Sequence, residues 1–495
     1  MATRSTSIAW ERTLAKTLAE LAAALDITPI RDEWTTLTVD RICTDSREVA
    51  PGDLFVGIPG AHRDGAEYAR QAAQRGAIAV MAERDIPLSI PFLRVPCARQ
   101  GLARASAAFH DHPTRTLFTV GVTGTNGKTT TCHWIADILG PAQTALSSTV
   151  SNAATDATSL TTPPSPVVQR MARNAADGGA RHFIVEASSA GIAQHRVDDV
   201  DFDVAVFTNF SPEHLRYHCG LDAYRRAKLS LFESLKTDAW AVLNADDPLS
   251  ETIARITPAR VLTYGRFCDA DLKASDVRED TAAVYRFAIT EGKGESREAA
   301  LRWIGPYNVS NALAAIAVGR VSGLPLHEAV DRLATLRSVP GRGQAFHRGD
   351  GVTVIVDFAH NAASLEALLR FLRERYERIL AVYGCPGDGE HEKRRAMGAV
   401  SGRLCDRIIL TSDNPKHESP RAIAEEIRSG AVGDRVPVSI VLGRRDAIEQ
   451  AVKEATPRDV VLLAGKGHEA VQLVGDRRMP FSDAGVLETL GFAAC

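Results

Sequence analysis

This sequence lacks paired cysteines, a long apolar run and a large net charge of either sign. Its eight cysteines are scattered, from Cys43 to Cys495, with no C-x-x-C pair among them. That excludes a disulfide scaffold and a thiolate zinc site, and reduced thiols in a cytosol fit the pattern. No apolar stretch approaches the roughly 18 residues needed to cross a bilayer. The N-terminal Met1–Ile27 is apolar but broken by Glu11, Arg12, Lys16 and Glu20. It reads as an amphipathic helix and not as a signal peptide. With a net charge of −3, no global field recruits nucleic acid or an anionic membrane, so any anionic ligand must be held by local groups. Internal repeats and low-complexity tracts are missing too, which excludes solenoids and linker-like tails. The expectation is a cytoplasmic protein that acts on small molecules, with no nucleic-acid partner and no membrane insertion.

At 495 residues the chain exceeds the roughly 250–300 at which a single core stops growing. The first hundred residues mix short strands, Asp53–Gly57 and Ala77–Met81, with a helix near Ala66–Arg75. The chain turns polar around Pro113, a boundary signal. From there short apolar runs alternate with helical stretches. The strands are Leu117–Val122, His182–Glu186, Val204–Asn209 and Ala241–Asn244, and Thr129–Leu139 is a helix. This is the pattern of βαβ units and a mostly parallel sheet. Ser338–Gly343 reads as a second linker. Beyond it, strands Val352–Asp357, Ile379–Gly384, Arg407–Thr411 and Val460–Leu463 predict another doubly wound domain. The fold class is therefore α/β in three domains. A mixed N-terminal domain covers residues 1–112, a phosphate-loop domain with a parallel sheet covers 113–339, and a Rossmann-like domain covers 340–495.

Between a strand and a helix lies Gly121-Val-Thr-Gly124-Thr125-Asn126-Gly127-Lys128-Thr129-Thr130. Glycines let the backbone turn its N–H groups onto phosphate oxygens, the helix N-terminus adds partial positive charge, and Lys128 adds a full one. The Thr129 hydroxyl is placed to ligate Mg²⁺. The strict phosphate-loop pattern has glycine at Val122, and here it sits one residue earlier. Two further residues follow strands. Glu186 reads equally as a Mg²⁺ ligand and as a solvated strand-end acid. His214, in Thr208-Asn-Phe-Ser-Pro-Glu213-His214, is discounted on its own. Lys228, in Tyr224-Arg-Arg-Ala-Lys228, reads on sequence alone as a helix-surface lysine.

The loop resembles the ATP loop of the Mur ligases and of the related folylpolyglutamate and cyanophycin synthetases. The resemblance continues through Asn244-Ala-Asp246-Asp-Pro248, Asn308-Val-Ser-Asn311, Pro340-Gly-Arg342 and Asp357-Phe-Ala-His360. It implies ATP and Mg²⁺ as cofactors. Gly124 to Thr130, Asn311, Arg342 and Asp357 would hold the nucleotide. Thr129, Glu186, His214 and Lys228 would serve the metal, Lys228 as a carbamate. A carbamate turns a cation into a hard oxygen ligand of the kind Mg²⁺ prefers. A nucleotide gripped by two domains also implies closure before chemistry.

Segments at both ends and in the centre are most similar to the MurE type, the branch that adds a diamino acid to UDP-N-acetylmuramoyl-L-alanyl-D-glutamate. Thr44, Ser46 and Asp64 match its uridine-diphosphate domain. Thr161, Thr162, Ser188, Gln194 and Arg196 match its contacts with the muramoyl peptide. Arg394, Asp413, Asn414, Pro415, Lys416, Gly465 and Glu469 match its amino-acid pocket. The expected partners are therefore a carboxylate acceptor, the UDP-muramoyl peptide, and an amino acid. The carboxylate would attack the γ-phosphorus while Lys128, Mg²⁺ and Arg342 neutralise charge. The acyl phosphate would then meet an amine, with no protein nucleophile needed.

The sequence departs from that pattern at Ala190, Glu213, Arg216, Gln344, Ala363 and Lys416. Glu213 and Arg216 replace the two aspartates of Asp-His-Leu-Asp. Lys416 replaces an arginine that selects meso-diaminopimelate, and lysine gives a point charge where arginine gives a planar fork. These departures keep two alternatives open: a ligase of specialised metabolism with another acceptor, and a nucleotide-binding partner protein without catalysis.

Overall fold

A computed structural model describes residues 14–27, 31–60, 63–155, 160–280, 284–294, 296–431 and 436–494. Packing divides the chain into two compact units. The first comprises residues 1–119, 162–183 and 190–202, and the second 120–161, 184–189 and 203–495.

The first unit carries a four-stranded sheet in the order Arg41–Cys43, Asp53–Val56, Ala79–Ala82, Phe92–Arg94, every pair parallel. Asp53–Val56 and Ala79–Ala82 are buried along their whole length, as expected of strands covered on both faces. Leu54, Val56 and Met81 pack with Leu18, Leu21 and Leu102 from the helices. The long N-terminal helix of the sequence reading is shorter here, at Leu18–Ala24 after a two-residue strand, Lys16–Thr17; residues 1–13 of that reading lie outside the described residues. The physical stop is local. Thr17 accepts from the Glu20 amide while the Glu20 carboxylate accepts from the Thr17 amide, a reciprocal cap that fixes the helix start. The helix near Ala66–Arg75 opens as a 3₁₀ turn, Gly65–Tyr68, capped by Asp64, and continues as Ala69–Gln74.

The second unit contains two large sheets. One has nine strands in the order Ser296–Arg302, Val284–Glu291, Leu272–Glu279, Arg260–Gly265, Trp240–Asn244, Val204–Phe207, Phe118–Thr123, His182–Glu186, Thr144–Ser147. The strands from Phe118–Thr123 out to Leu272–Glu279 pair in parallel. The last three strands at that edge run antiparallel. The sequence reading missed this antiparallel extension. Its strands alternate buried and exposed residues, as in Val284–Glu291 with Tyr285, Phe287 and Ile289 inside. They therefore offer no continuous apolar run.

The other sheet has seven strands, ordered Val438–Ile440, Arg407–Leu410, Arg378–Tyr383, Asp459–Ala464, Thr353–Asp357, Gln344–His347, Ala493–Ala494. Its first five are mutually parallel. Val354, Val356, Leu380, Val382, Val461 and Leu463 form its core. A parallel sheet puts all its strand ends on one edge, where ligands bind. In both sheets some candidate residues lie at or just after those ends, among them Glu186, Asp357 and Asp413. Among the described residues no helix is long and apolar enough to cross a membrane, and the seven described cysteines are free.

Candidate active site

The phosphate loop joins strand Phe118–Thr123 to helix Lys128–Leu139. Two of its glycines are dictated by space and backbone. Gly124 has φ 145°, and a Cβ there would lie 1.9 Å from Thr208 Oγ1; Gly127 has φ 84°, and a Cβ would lie 2.4 Å from Asn311 Oδ1. Only glycine tolerates such positions without strain. The loop is braced from the next strand end. Thr208 Oγ1 donates to the Asn126 carbonyl at 2.7 Å, and the Asn209 side chain accepts from the Asn126 amide at 2.9 Å. Lys128 Nζ folds back onto the carbonyls of Gly124 (3.1 Å) and Thr125 (2.8 Å). The loop borders a cavity of about 650 Å³, large enough for a nucleotide-sized ligand. Asp246, Tyr264 and Tyr307 also line that cavity. Beside the loop, Asn311 donates to Asn308 at 2.8 Å, which sets the orientation of both amides.

At the floor, Thr129 Oγ1 lies 3.0 Å from Glu186 Oε1 and 3.0 Å from Arg342 Nη2. The Thr149 amide and hydroxyl also donate to Glu186 Oε2, at 2.9 and 3.0 Å. Glu186 is buried, so the reading of it as a solvated strand-end acid is corrected: its oxygens face a hydroxyl and a cation at the cavity. Arg342 lies over the Phe358 ring at 4.3 Å, and its buried Nε has no acceptor among the described residues. Burial lowers its pKa, opposed by Glu186 and Asp357; a guanidinium stays charged regardless. Burial likewise pushes the Asp357 carboxyl upward, against the pull of Arg342. Its oxygens accept from the amides of Gly343 (2.6 Å) and Ala359 (2.7 Å), which ties the Arg342 loop to the strand end.

Lys228 is corrected from a surface lysine to a buried one, 1% exposed on helix Leu221–Glu233. Its Nζ donates to the Gly124 carbonyl at 2.6 Å and sits 4.6 Å above the Tyr224 ring. Burial, reinforced by the Lys128 charge, presses this amine well below the usual lysine range. His214 packs edge-on against the same Tyr224 ring at 6.2 Å, so one aromatic side chain brings both candidates together. His214 is left-handed at φ 55°, a strained backbone of the kind found at functional turns. Burial opposes charge on its neighbour Glu213, yet His360, His214 and Lys393 hold that carboxyl well below the usual range.

Among the described residues no three His, Cys, Asp or Glu side chains converge as a ready-made metal cage. Mg²⁺ is characteristically held by one or two carboxylates together with substrate phosphates and water. The Thr129 hydroxyl and Glu186 supply hard oxygens of the right kind beside the phosphate loop.

At the carboxyl edge of the other sheet, the segment after Arg407–Leu410 and the segment after Asp459–Ala464 meet. Asn414 Nδ2 donates to Glu469 Oε2 at 2.8 Å. Between them lies Lys466, a residue the sequence analysis did not assign. Its fully buried Nζ donates to Glu469 Oε2 (3.0 Å), the Val471 carbonyl (2.6 Å) and Asn414 Oδ1 (3.3 Å). It stands 3.8 Å from Asp413 Oδ1, a carboxyl that burial raises. A charged residue between two glycines directly after an apolar strand was the available signal. Gly465 takes φ 95° at the start of this turn. Pro415 and Lys416 continue into a clasp with hairpin Val471–Val474 and Arg477–Pro480. The Lys416 amide donates to the Leu473 carbonyl at 3.1 Å, and the Gly475 amide to the Lys416 carbonyl at 2.7 Å. Arg394 comes to the same end of the sheet, but its guanidinium is engaged by Glu418 (2.7 Å) and Glu426 (3.0 Å).

The remaining candidates fall in separate places. In the first unit Thr44 is exposed, Ser46 Oγ donates to Gln71 at 3.2 Å, and Asp64 pairs with Arg84 at 2.9 Å. Arg196 of that unit donates to the Thr162 carbonyl at 2.7 Å and to Gln194 at 2.7 Å. Thr161 and Ser188, in the second unit, border the nucleotide-sized cavity.

The chain matches the Mur ligase middle domain over residues 122–319, the Mur ligase, glutamate ligase domain over 341–467, and the Mur ligase family, catalytic domain over 38–113. A UDP-N-acetylmuramoyl-L-alanyl-D-glutamate–2,6-diaminopimelate ligase of Geobacillus thermodenitrificans (strain NG80-2) is 39% identical over 455 residues, covering 89% of this chain and 92% of that protein. A UDP-N-acetylmuramyl-tripeptide synthetase of Roseiflexus sp. (strain RS-1) is 39% identical over 469 residues, with the same coverage of 89% and 92%. Among solved structures, a UDP-N-acetylmuramoyl-L-alanyl-D-glutamate–2,6-diaminopimelate ligase superposes with a TM-score of 0.66 at 29% identity, over 95% of this chain and 98% of that one. MurF from Thermotoga maritima, solved with ADP, shares the fold at a TM-score of 0.61 and 21% identity, over 86% and 93%.

Proposed function

The chain belongs to the Mur ligase family, and from that premise we propose that it joins a diamino acid to UDP-N-acetylmuramoyl-L-alanyl-D-glutamate, a peptidoglycan precursor. Its class follows from the family: it is an ATP-dependent, ADP-forming ligase that makes a C–N bond. The observation that carries the reading is the arrangement around Thr129, which is held between Glu186 and Arg342 at the mouth of the phosphate loop.

In the first step a substrate carboxylate oxygen attacks the γ-phosphorus and ADP leaves. Lys128 and Arg342 face the charge that accumulates on the phosphoryl oxygens, and stabilising that charge is the main catalytic term. Thr129, Glu186, His214 and Lys228 as its carbamate would hold Mg²⁺, which when bound neutralises the same oxygens. Burial lowers the Lys228 pKa and so favours the neutral amine, the form that adds to carbon dioxide. In the second step the incoming amine attacks the acyl carbon, phosphate leaves, and the amine gives up a proton. Asn414, Glu469 and Lys416 would present the amino acid, and the region around Thr44, Ser46 and Asp64 the uridine diphosphate. We place the three domains at 1–112, 113–339 and 340–495, and the reaction in the cytoplasm, where ATP is available.

A second reading keeps the chemistry and changes the partners. It is favoured by Lys416 in place of arginine and by Arg394, whose fork is already engaged by Glu418 and Glu426. The deciding experiment is a panel of amino acids and carboxylate acceptors with ATP, scored by ADP release and by product mass. Product from the UDP-muramoyl dipeptide and meso-diaminopimelate supports the cell-wall reading. Turnover only with other pairs replaces it by the second.

A further inference from the structure

We propose that Glu213 is a positioning residue that docks the segment His360–Asn361 onto the phosphate loop, so that the strand end carrying Asp357 is held in register with the nucleotide. Glu213 is 4% exposed. Its Oε1 lies 2.9 Å from His360 Nε2 and 3.1 Å from Asn361 Nδ2, with Lys393 Nζ at 3.9 Å. The Asn361 amide that reaches Glu213 also donates to Asn126 Oδ1 of the phosphate loop, at 3.2 Å. The three residues therefore form one bonded cluster: loop, acid, and the start of helix Ala362–Arg373.

Each partner is fixed from behind. Asn361 is the N-cap of that helix and accepts from the Ser364 amide at 2.8 Å. His360 is oriented at both ring nitrogens, with Nδ1 2.9 Å from the Phe358 carbonyl and Nε2 on Glu213. On the other side, Glu213 follows the Thr208–Asn209 brace that shapes the loop. The Arg342–Thr129 bond is one tie between the C-terminal sheet and the loop; the Glu213 cluster is a second. One carboxylate oxygen meeting two donors, with the Lys393 ammonium at ion-pair distance, explains a glutamate where the related pattern has aspartate. Aspartate is shorter by one carbon–carbon bond, about 1.5 Å, and would miss both His360 and Asn361. Arg216, the other departure on this loop, adds a contact on the same seam: its amide lies 3.0 Å from Glu390 Oε1.

A residue that acts by setting the geometry of its neighbours should affect turnover more than nucleotide affinity. The inference rests on the ATP-dependent ligase reading and not on which acceptor is used. The test is made in the full chain with Glu213→Ala, Glu213→Asp, Glu213→Gln, His360→Ala and the double variant Glu213→Ala/His360→Ala. Turnover should fall tenfold or more in Glu213→Ala and less in Glu213→Gln. Affinity for a non-hydrolysable ATP analogue, measured by calorimetry without other substrates, should stay within twofold. The double variant should be no slower than the worse single, because both remove the same tie. A readout independent of any acceptor is amide hydrogen exchange with the analogue bound. The first turn of Ala362–Arg373 should exchange at least fivefold faster in Glu213→Ala and less so in Glu213→Gln, whose amide oxygen can still accept from Asn361. Turnover within twofold of the parent, losses that add in the double variant, or unchanged exchange in that turn would overturn the proposal. A parent chain inactive with every muramoyl acceptor, yet with the expected exchange change, would overturn the proposed substrate and leave Glu213 in its role.

Discussion

Lys128 and Lys228 stand near the same carbonyl of Gly124, but their surroundings give them opposite tasks. Lys128, where the phosphate loop enters its helix, is the residue whose charge we propose meets phosphate. Lys128→Ala should lower ADP release by at least about 10²-fold, the scale for losing one charge-stabilising group; near-normal turnover in a coupled assay would remove the loop from the mechanism. Lys228 is buried and pressed toward its neutral form. In the unfolded chain it titrates near the usual 10.5. Between the lowered folded value and 10.5 the unfolded state therefore binds more protons, and the contribution of Lys228 to stability improves as pH rises through that window. Lys228→Met should remove this slope and raise stability by about 1 kcal/mol or more, or ~2–4 °C in Tm for a domain of this size. The same change should abolish turnover, and Lys228→Ala should regain some activity with added short carboxylates. Melting curves from pH 6 to 10 beside rate measurements decide it: a destabilised Lys228→Met, or full activity in it, contradicts the assignment. At position 416, Lys416→Arg should sharpen selection for an amino acid with a distal carboxylate. Unchanged ratios of kcat/KM across the amino-acid panel would place specificity elsewhere.

The proposed amino-acid site at the end of the seven-stranded sheet depends on how elements are tied together beneath it. Helix Arg444–Glu454 meets helix Asp483–Thr489 through an ion pair with both side chains fully buried. Arg444 Nε lies 2.7 Å from Asp483 Oδ1, and Nη2 lies 2.6 Å from Oδ2. The same guanidinium caps the Ala464 carbonyl at 3.1 Å, just before Gly465 and Lys466. Removing one partner strands a buried charge. Asp483→Ala should cost about 3–5 kcal/mol in urea unfolding, and replacing both partners with apolar residues should cost less than that. Equal losses in the single and double variants would show that packing, and not the uncompensated charge, dominates. Lys466 plays a similar part closer to the pocket. Its ammonium fixes one Glu469 oxygen and the Asn414 carbonyl oxygen. Lys466→Met should therefore raise KM for the amino acid with little change in KM for ATP.

For the whole molecule, the first unit is the part whose ligand is least tied to the ATP chemistry. Its four-stranded parallel sheet ends near Thr44 and Ser46, just after strand Arg41–Cys43, at the edge where parallel sheets bind ligands. A uridine nucleotide should bind there with or without ATP. Calorimetry of the full chain with UDP-N-acetylmuramic acid should show binding that Ser46→Ala and Asp64→Ala weaken. No binding in a protein that turns over other acceptors would transfer the case to specialised metabolism.

The sequence by itself determined the features that are local. The phosphate loop, the parallel strands His182–Glu186 and Trp240–Asn244, and the second sheet from Thr353–Asp357 onward were legible, because buried parallel strands are continuous apolar runs and tight phosphate turns need glycine at fixed offsets. Chain order placed Glu186 and Asp357 at strand ends, where ligands belong, and Arg342 in the linker just before the second sheet. Tertiary structure decided what depends on burial and on partners distant in sequence. Lys228 lies in a helix whose spacing says surface, and only the packing of Tyr224 and the phosphate loop over it makes the amine buried. Glu213 looks like a solvated acid until His360, Asn361 and Lys393 close around it from segments nearly 150 or more residues away. The antiparallel strands between Leu272 and Arg302 were hidden because one face of each is exposed. Pairing across such distances leaves no periodic trace in either partner, and the charge state of a buried group is set by neighbours that the chain brings up only on folding.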